Sequence, residues 1–386
     1  MRFEFATATR ILFGPGTLAE VAPAAKALGK RAFLVVGRDV GRAESLRERL
    51  IAHGVATVVC SVGGEPTVPL VRAEVARARE GGCDLVVGFG GGSVLDTGKA
   101  IAALLANDGD PLDYLEVVGK GRALARPSVP FIAVPTTAGT GSEVTRNAVL
   151  VAPDQRIKAS LRSNTMYPCL AVVDPELTHT LPPAITASTG LDALTQLIEP
   201  FVSTGANPLT DALCREGMGR AARSLRRACE DGRNAAARED MALASLFGGL
   251  ALANARLGVV HGCAAVVGGR FPAPHGAVCA RLLPFVMAAN VAALHGQSAA
   301  APGLRRYEEV ARILTGRTEA TIADGIRWAH ALSADLGIPP LNHYCMVAAD
   351  LPAVVAETQR ASSTKGNPVA LADEELTEVL RQALLS

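Results

Sequence analysis

The sequence predicts an α/β N-terminal domain with a mostly parallel sheet, followed by an all-α C-terminal domain. Short apolar runs alternate with helical patterns through the first half of the 386-residue chain, as they do in β-α-β units. Strand signals stop after about Leu181, where the hydrophobic period changes to that of helices. We therefore expect two domains, residues 1–180 and residues 181–386, with the boundary near residues 175–182.

The strands of the predicted sheet are short apolar runs bounded by glycine, proline or charged residues. Such runs are typical of strands that are covered on both faces. They are expected at Arg31–Val36, Val55–Cys60, Asp84–Val87, Phe131–Val134 and Leu170–Val173. Apolar residues at helical spacing flank these runs and predict helices at Thr17–Leu28, Arg42–His53, Leu70–Arg79 and Val94–Leu105.

The C-terminal domain is predicted to be helical throughout, because its apolar residues recur with a period of about 3.6. The expected helices are Pro182–Val202, Asp211–Ala228, Arg238–Ala255, Leu257–Val267, His275–Leu294, Leu304–Leu314, Thr321–Leu336, Ala349–Arg360 and Glu374–Leu384.

Composition excludes several classes of protein. Lys and Arg number 38 and Asp and Glu 37, so the net charge is +1 and we expect neither nucleic acid nor a membrane as partner. The first ten residues lack the basic start and apolar run of a signal peptide. Eight cysteines are scattered singly, which argues against disulfides and against a thiolate zinc site. We expect a cytoplasmic protein whose cysteines are small buried apolar residues.

A glycine-rich turn, Phe89–Ser93, directly follows the strand at Asp84–Val87 and precedes a helix. Glycines allow a tight turn and let a phosphate approach the amides at the helix N-terminus, where Ser93 is placed to cap. We expect Gly91, Gly92 and Ser93 to bind the pyrophosphate of a dinucleotide. An ordinary strand-to-helix turn is the alternative.

A second candidate site combines one carboxylate with two histidines. Asp192 and Gln196 stand four residues apart and share a helix face, and a helix-length stretch separates His261 from His275. A carboxylate with two imidazoles is a common ligand set for Fe²⁺ or Zn²⁺. The alternative is that both histidines are ordinary core residues.

Together these segments resemble the iron-containing (group III) alcohol dehydrogenase family. The resemblance implies the dehydroquinate synthase-like fold of that family, a dinucleotide-binding N-terminal domain, and NAD(P)-dependent interconversion of alcohols with aldehydes or ketones. The similar segments follow the family order through nearly the whole chain and are Phe13–Gly16, Gly90–Ala102, Pro135–Thr145, Ala171–Pro183, Ser188–Ser203, Leu257–Gly262 and Pro274–Gly276.

The resemblance implies further contacts to the cofactor. Thr136, Thr137 and Ser142 match residues beside the ribose and nicotinamide, and the strand before them places their hydroxyls at the carboxyl edge of the sheet. Lys158 matches a lysine that contacts the nicotinamide ribose, and Asp96 lies close to the pyrophosphate-binding turn.

The resemblance also implies a metal site with two departures from the family. Asp192, His261 and His275 match three of its four ligands, and the two histidines are the expected catalytic residues. Gln196 stands where the fourth ligand, a histidine, is found, and its amide oxygen is a poorer ligand for Fe²⁺ or Zn²⁺. Ala265 replaces a histidine assigned to proton exchange. These departures indicate a divergent subgroup, similar to the maleylacetate reductase branch that works without this metal set.

The choice between NAD and NADP is expected to depend on the end of the strand at Arg31–Val36. An acidic residue there repels a 2′-phosphate, whereas a nearby arginine accepts it. The family's acidic position aligns best with Gly37, which leaves Arg38 free to meet a phosphate. A shift of one residue would instead place Asp39 at the discriminating position.

Several functions stay open on this sequence. The first is a metal-assisted NAD(P)-dependent alcohol dehydrogenase or aldehyde or ketone reductase. The second is a metal-independent reductase of an anionic oxo-acid. An anionic substrate, such as an oxo-acid or a phosphonate-bearing aldehyde, is favoured if two of the cations Arg146, Arg256, Arg270 and Lys365 converge on the nicotinamide. The others are a catalytically weakened dinucleotide-binding protein and a metal-dependent lyase of the dehydroquinate synthase type.

The N-terminal segment Arg2–Phe13 is expected to form an alternating strand that covers a sheet edge by pairing with another chain. In the family that this chain resembles, the region contributes to a dimer. Because two-fold pairing is the commonest assembly, we expect a homodimer that acts on a small-molecule substrate. Pairing within its own sheet is the alternative.

Overall fold

The apolar runs of the N-terminal half form a six-stranded parallel sheet in a computed structural model of the chain, which describes residues 2–155, 157–298 and 300–385. The strand order is β1-β8-β5-β4-β2-β3. The strands are β1 (Ile11–Phe13), β2 (Arg31–Gly37), β3 (Ala56–Val62), β4 (Leu85–Gly90), β5 (Phe131–Pro135) and β8 (Leu170–Val173), and β6 (Asn147–Ala152) and β7 (Ile157–Arg162) form a separate antiparallel pair.

The strands are buried where the sequence has continuous apolar runs. Residues 32–36 of β2 and every residue of β4 and β5 are buried, because helices cover both faces of the sheet. These helices are α1 (Val21–Leu28), α2 (Glu44–Ala52), α3 (Val68–Glu80) and α4 (Gly92–Ala106), and a short helix, α5 (Pro111–Tyr114), follows. Short 3-10 helices occupy Thr17–Glu20 and Val40–Ala43, the first turns of two predicted helices.

The C-terminal half is helical throughout the residues that the structure describes there. Asn207 and Thr321 begin two of its helices with reciprocal capping bonds to the residue three positions later. The helices are α6 (Pro183–Val202), α7 (Pro208–Glu230), α8 (Ala235–Asn254), α9 (Val259–Arg270), α10 (His275–Gln297), α11 (Pro302–Thr315), α12 (Ile322–Asp335), α13 (Leu351–Arg360) and α14 (Asp373–Leu385). The predicted fold class is therefore confirmed.

The chain forms two compact units. The α/β unit comprises Ala6–Thr137 and Gly141–Thr178. The helical unit comprises the described parts of residues 1–5, 138–140 and 179–386. Each unit has its own hydrophobic core; that of the helical unit is built around buried residues of α6, α7, α9 and α10 such as Leu194, Met218 and Val278.

Helix α10 is long and apolar enough to cross a membrane by length and composition alone. However, 72% of its apolar window is buried among other helices of the described chain. A helix that is apolar on all sides is typical of a buried position in a large core.

Two elements differ from the sequence-based expectation. The hairpin β6–β7 was not predicted, because its residues are only alternately buried and lack a continuous apolar run. The expected strand Arg2–Phe13 is wrong in extent, and on one side it shows the alternative pairing within its own sheet. Only Ile11–Phe13 is a strand, and it pairs in parallel with β8 of its own sheet, whose four residues limit the length of the ladder.

A homodimer remains our prediction, because β1 is an edge strand of the six-stranded sheet and carries backbone groups on one side that face no described strand. Light scattering of the full-length protein should give the mass of a dimer. A variant lacking residues 1–10 should dissociate at a higher protein concentration than the full-length protein does. A full-length monomer at micromolar concentration contradicts the prediction. A truncated protein that dimerises equally well places the interface away from the N-terminus.

Candidate functional site

Helix α6 carries three buried polar side chains on one face. Asp192, Gln196 and Glu199 follow one another at intervals of four and three residues, which brings them together along the helix. Their relative exposures are 1%, 3% and 5%. Because buried carboxylates and amides are costly without partners, this face predicts a ligand or a specific hydrogen-bond network.

Glu199 fixes the start of helix α9. Its Oε1 accepts a hydrogen bond of 2.7 Å from the Val260 N–H, in the first turn of α9, where a helix N-terminus favours an anion. A Cβ at Gly258 would lie 2.7 Å from this same oxygen, so the close approach requires glycine. The other oxygen, Oε2, lies 2.6 Å from His261 Nδ1.

This contact orients the His261 ring. With Nδ1–H donating to Glu199, Nε2 faces Asp192, and the distance from Nε2 to Asp192 Oδ1 is 3.5 Å. A carboxylate that holds the outer ring nitrogen of a histidine is the arrangement that fixes metal-binding imidazoles in proteins. Sequence analysis left Glu199 out of the site, although its spacing from Asp192 and Gln196 was a usable signal.

Helix α10 supplies the second histidine and a cysteine. His275 is its first residue, and its Nε2 lies 3.8 Å from Asp192 Oδ1. Cys279 stands one turn later, with Sγ 3.6 Å from His275 Nε2. A Cβ at Gly276 would lie 2.5 Å from the Ser188 carbonyl oxygen, so this glycine lets α10 approach α6 closely.

The four potential ligand atoms of Asp192, His261, His275 and Cys279 lie within 4.8 Å of one another. A four-coordinate ion with bonds of ~2.0–2.3 Å holds its ligand atoms roughly 3.3–3.8 Å apart. The distances of 3.5, 3.6 and 3.8 Å in this cluster agree with that spacing. The geometry therefore fits a divalent metal ion. Cys279, which sequence analysis treated as a small buried apolar residue, thus lies among the potential metal ligands.

Three buried acceptor atoms of the site have no hydrogen-bond partner: Asp192 Oδ1, Gln196 Oε1 and His261 Nε2. Within residues 2–155, 157–298 and 300–385, Asp192 and Glu199 form ion pairs with His261 and His275 only. Neither carboxylate has a lysine or arginine partner there. Buried polar atoms without hydrogen-bond partners, next to carboxylates that no lysine or arginine neutralises, fit a site for a cation.

The ionisation of the site responds to this charge balance. Burial raises the pKa of Asp192, but the contact to His261 and the charges of His275 and His261 outweigh burial and hold the pKa below its usual value. Burial lowers the pKa of His261, whereas Cys279, Glu199 and Asp192 raise it, and the net pKa lies well above the usual value. The cluster thus favours a positive charge at its centre.

The predicted cofactor-binding turn lies at the carboxyl ends of β4 and β5. These strands pair in register to Gly90 and Pro135, and the Thr136 N–H donates to the Gly90 carbonyl at 3.0 Å. A Cβ at Gly91 would lie 3.2 Å from Thr137 Cγ2, so the glycine turn and the threonines are adjacent. Ligands of open parallel sheets bind at this edge.

Helix α4 begins at Gly92, earlier than the sequence predicted. Its N-cap is Gly91, which has no side chain, and no side-chain cap is present. The expectation that Ser93 caps the helix is wrong, because Ser93 lies inside the first turn. Gly91, Gly92 and Ser93 still form the helix N-terminus at which a phosphate is expected to bind.

Asp96 and Ser142 form part of a buried polar clamp. Ser142 Oγ donates to Asp96 Oδ1 at 2.6 Å, and Asp96 Oδ2 accepts from the Val149 N–H at 3.0 Å. Lys99 Nζ donates to the Ser142 carbonyl at 3.1 Å and to Thr145 Oγ1 at 2.9 Å, and lies 3.1 Å from Asp96 Oδ1. These bonds fasten residues 142–149 to α4.

The other predicted cofactor contacts lie on separate elements of the α/β unit. Lys158 is on β7 and forms an ion pair of 3.1 Å with Glu65. Gly37 ends β2; Arg38 is exposed and donates to the Gly63 carbonyl at 2.7 Å, and Asp39 accepts from the Gly41 N–H at the start of a 3-10 helix.

Two of the four cations that sequence analysis singled out have side-chain partners within their own unit. Arg270 forms an ion pair with Glu357, with Nε 3.0 Å from Oε2, and Arg146 contacts Asn164. Arg256 lies beside the turn that carries Lys365, since a Cβ at Gly366 would be 2.4 Å from Arg256 Cβ.

Two family domains match this chain. The domain described as iron-containing alcohol dehydrogenase matches residues 8–175. The domain described as Fe-containing alcohol dehydrogenase family, C-terminal, matches residues 186–384. The 1,3-propanediol dehydrogenase of Citrobacter freundii is 34% identical over 394 residues, which cover 99% of this chain and 98% of that protein.

Solved structures with the same fold include two named reductive enzymes. The crystal structure of a 1,3-propanediol oxidoreductase has a TM-score of 0.92 and 32% identity, and the match covers 99% of this chain and 100% of that one. The sulfoacetaldehyde reductase from Bifidobacterium kashiwanohense, in complex with NAD⁺, has a TM-score of 0.86 and 30% identity, with full coverage of both chains.

Glu143, next to Ser142, makes stability depend on pH. Burial raises its pKa to about 7, against a backbone hydrogen bond and Lys99, which lower it. Because the folded pKa exceeds the unfolded one, the stabilising contribution of the neutral acid is present at low pH and is lost as pH rises through about 7. Glu143→Gln should therefore stabilise the protein above that pH.

The gain in unfolding free energy for Glu143→Gln is expected to be at most about 3 kcal/mol, as each pKa unit corresponds to about 1.4 kcal/mol. Denaturant unfolding at several pH values measures it. Glu48→Gln, at an exposed position of α2, is the control and should change little at any pH. A stability difference for Glu143→Gln that is equal below pH 4.5 and above about pH 7 would contradict the assignment.

Proposed function

This chain belongs to the iron-containing alcohol dehydrogenase family, and on that basis we propose that it interconverts an alcohol with an aldehyde or ketone, using NAD(P) and a metal ion. In this proposal residues 1–180 bind the dinucleotide and residues 181–386 bind Fe²⁺ or Zn²⁺ and the substrate. The observation that carries the proposal is the cluster of potential ligand atoms on Asp192, His261 and His275, in which Asp192 Oδ1 and His261 Nε2 are buried and have no hydrogen-bond partner.

The bound groups supply two kinds of chemistry: a nicotinamide accepts or donates a hydride, and a divalent ion polarises the substrate oxygen. The chain's own residues hold and orient these groups. Asp192, His261 and His275 are the proposed metal ligands, and their separations match those of a four-coordinate site. His261 and His275 are the proposed catalytic residues because they would hold the metal ion that polarises the substrate.

Glu199 acts as a positioning residue in the proposed reaction. Its 2.6 Å contact fixes the Nδ1–H tautomer of His261, which leaves the Nε2 lone pair directed towards Asp192. Its other oxygen is tied to the backbone of α9, so the imidazole has little rotational freedom. Such outer contacts raise the basicity of a ligating histidine.

The α/β unit is proposed to bind the cofactor through backbone amides and hydroxyls. Gly91, Gly92 and Ser93 lie at the N-terminus of α4, where amides and the helix dipole favour a pyrophosphate. Thr136 and Thr137 lie against this turn, at the sheet edge. The sulfoacetaldehyde reductase with bound NAD⁺ has the same fold, which supports a dinucleotide as cofactor.

Proton exchange is proposed to proceed through water. Ala265 lies one turn after His261 in α9 and offers no titratable group. The substrate proton therefore has no imidazole relay at this position. Solvent or the ribose hydroxyls of the cofactor take its place in the proposed reaction.

The proposed function is tested by oxidation of NADH and NADPH over a panel of aldehydes, ketones and oxo-acids, with the protein loaded with Fe²⁺ or Zn²⁺ and after chelation. His261→Ala should lower kcat/KM at least about 100-fold, because metal polarisation of the substrate is worth several kcal/mol. His295→Ala, an exposed histidine of α10, should leave the rate unchanged.

The outcomes separate the alternatives. Turnover that survives chelation and His261→Ala contradicts the metal-assisted reaction and indicates a metal-independent reductase. Tight cofactor binding without turnover of any compound contradicts an enzymatic role.

NADPH is predicted to be used at least as well as NADH. Arg38 is exposed at the end of β2 and its partner is an uncharged carbonyl, so it is available to a 2′-phosphate. Arg38→Ala should raise the KM for NADPH about tenfold and leave that for NADH nearly unchanged, since a charge-assisted hydrogen bond contributes about 1.5–3 kcal/mol.

Arg31→Ala is the matched control, because Arg31 is also exposed and also donates to a glycine carbonyl at 2.7 Å, but from the opposite end of β2. It should change neither KM. A clear preference for NADH that Asp39→Gly abolishes would show that Asp39 occupies the discriminating position.

A further inference from the structure

We propose that Cys279 is the fourth metal ligand of this site. It takes the place of the histidine that the family has at the position of Gln196. This inference rests on the proposed function for its role in the enzyme, but its test measures metal binding and not turnover. It gives the site an Asp-His-His-Cys ligand set.

Position and burial support Cys279 as a ligand. Cys279 is fully buried on α10, one turn after His275, so both side chains project from the same helix face. Its Sγ lies 3.6 Å from His275 Nε2 and within 4.8 Å of the ligand atoms of Asp192 and His261. A tetrahedral ion with one bond to sulfur and one to nitrogen separates those atoms by roughly 3.5 Å.

The acceptor atoms around Sγ point to a cation independently of the cysteine. Asp192 Oδ1 and His261 Nε2 are buried and have no hydrogen-bond partner. Cys263, two residues after His261, is equally buried but lies outside the cluster, beside Thr358. Burial alone therefore does not place a thiol at the site. Cys279 reaches it because it lies on the same face of α10 as His275.

The thiolate is a stronger ligand than the amide of Gln196. On binding, the S–H bond of Cys279 is replaced by a metal–sulfur bond, and the proton leaves to solvent. Thiolates favour zinc among the common cellular metals, whereas a neutral amide oxygen is a hard, weak ligand. Gln196, one turn after Asp192 on α6, is not needed as a ligand in this set.

Two negative ligands change the charge of the site. Asp192 and the Cys279 thiolate together neutralise a divalent ion, whereas Asp192 with three neutral ligands leaves one positive charge. A neutral site attracts the substrate oxygen less strongly but retains the metal more tightly.

Cobalt substitution tests the assignment without reference to activity. Apoprotein prepared with a chelator is titrated with Co²⁺, and the absorption spectrum is recorded from the near ultraviolet to the visible. A cobalt–thiolate bond gives a charge-transfer band in the near ultraviolet. The wild-type complex should show this band, and Zn²⁺ should displace the cobalt and remove it.

Cys279→Ser should lose the band and bind Co²⁺ at least about tenfold more weakly, since even outer contacts of a metal site contribute that much. Cys279→Ala is a second variant in case serine disturbs the packing, and circular dichroism checks the fold of both. Cys214→Ser is the matched control, because Cys214 is a fully buried thiol of α7 outside the cluster. It should retain both the band and the affinity.

The double variant Gln196→His/Cys279→Ser supplies an imidazole in place of the thiolate. It should regain Co²⁺ affinity without the near-ultraviolet band. A wild-type cobalt complex that lacks the band, or a band that persists in Cys279→Ser, overturns the assignment. A protein that shows the band but turns over no substrate would contradict the proposed function and leave the ligand assignment intact.

Discussion

The helical unit is organised around two buried carboxylates that have no lysine or arginine as ion-pair partner among the described residues. In a low-dielectric interior such charges persist only beside compensating positive charge and hydrogen-bond donors. Glu199 obtains these from the Val260 amide and from His261. Asp192 has the two imidazoles, at distances longer than a hydrogen bond. These distances match those between the ligands of a four-coordinate divalent ion.

The starts of two helices and two glycines bring these carboxylates and histidines together. Near the start of helix α9 the Glu199 carboxylate accepts from the Val260 N–H, and helix α10 starts at His275 itself. Gly258 and Gly276 permit approaches that a Cβ would block. The residues that distinguish this site are therefore not only its polar side chains. The two glycines set the distance between three helices, and that distance decides which side chains meet.

The sequence was sufficient for the fold class because buried strands and amphipathic helices leave periodic patterns. It was less informative for β6–β7, a half-buried hairpin, and for β1, whose pairing depends on the length of β8. The resemblance to the alcohol dehydrogenase family is confirmed, and Asp192, His261 and His275 do lie together.

Glu199 and Cys279 were missed as site residues for a different reason. Each lies on a helix whose direction and rotation the sequence pattern does not define with enough accuracy to assign a neighbour 60 or more residues away. In both cases the intrahelical spacing was available: Glu199 is seven residues after Asp192, and Cys279 is four after His275. Spacing indicates a shared face, but only packing shows that the face meets a histidine of another helix.

The clamp formed by Asp96, Lys99 and Ser142 has a consequence for cofactor affinity. It joins residues 142–149 to the helix that begins at the glycine turn, through bonds that are largely shielded from solvent. A binding surface whose segments are already ordered loses little conformational entropy when a ligand arrives. In the proposed cofactor site these segments are therefore ordered before a dinucleotide binds, so that little of the binding free energy is spent on ordering loops.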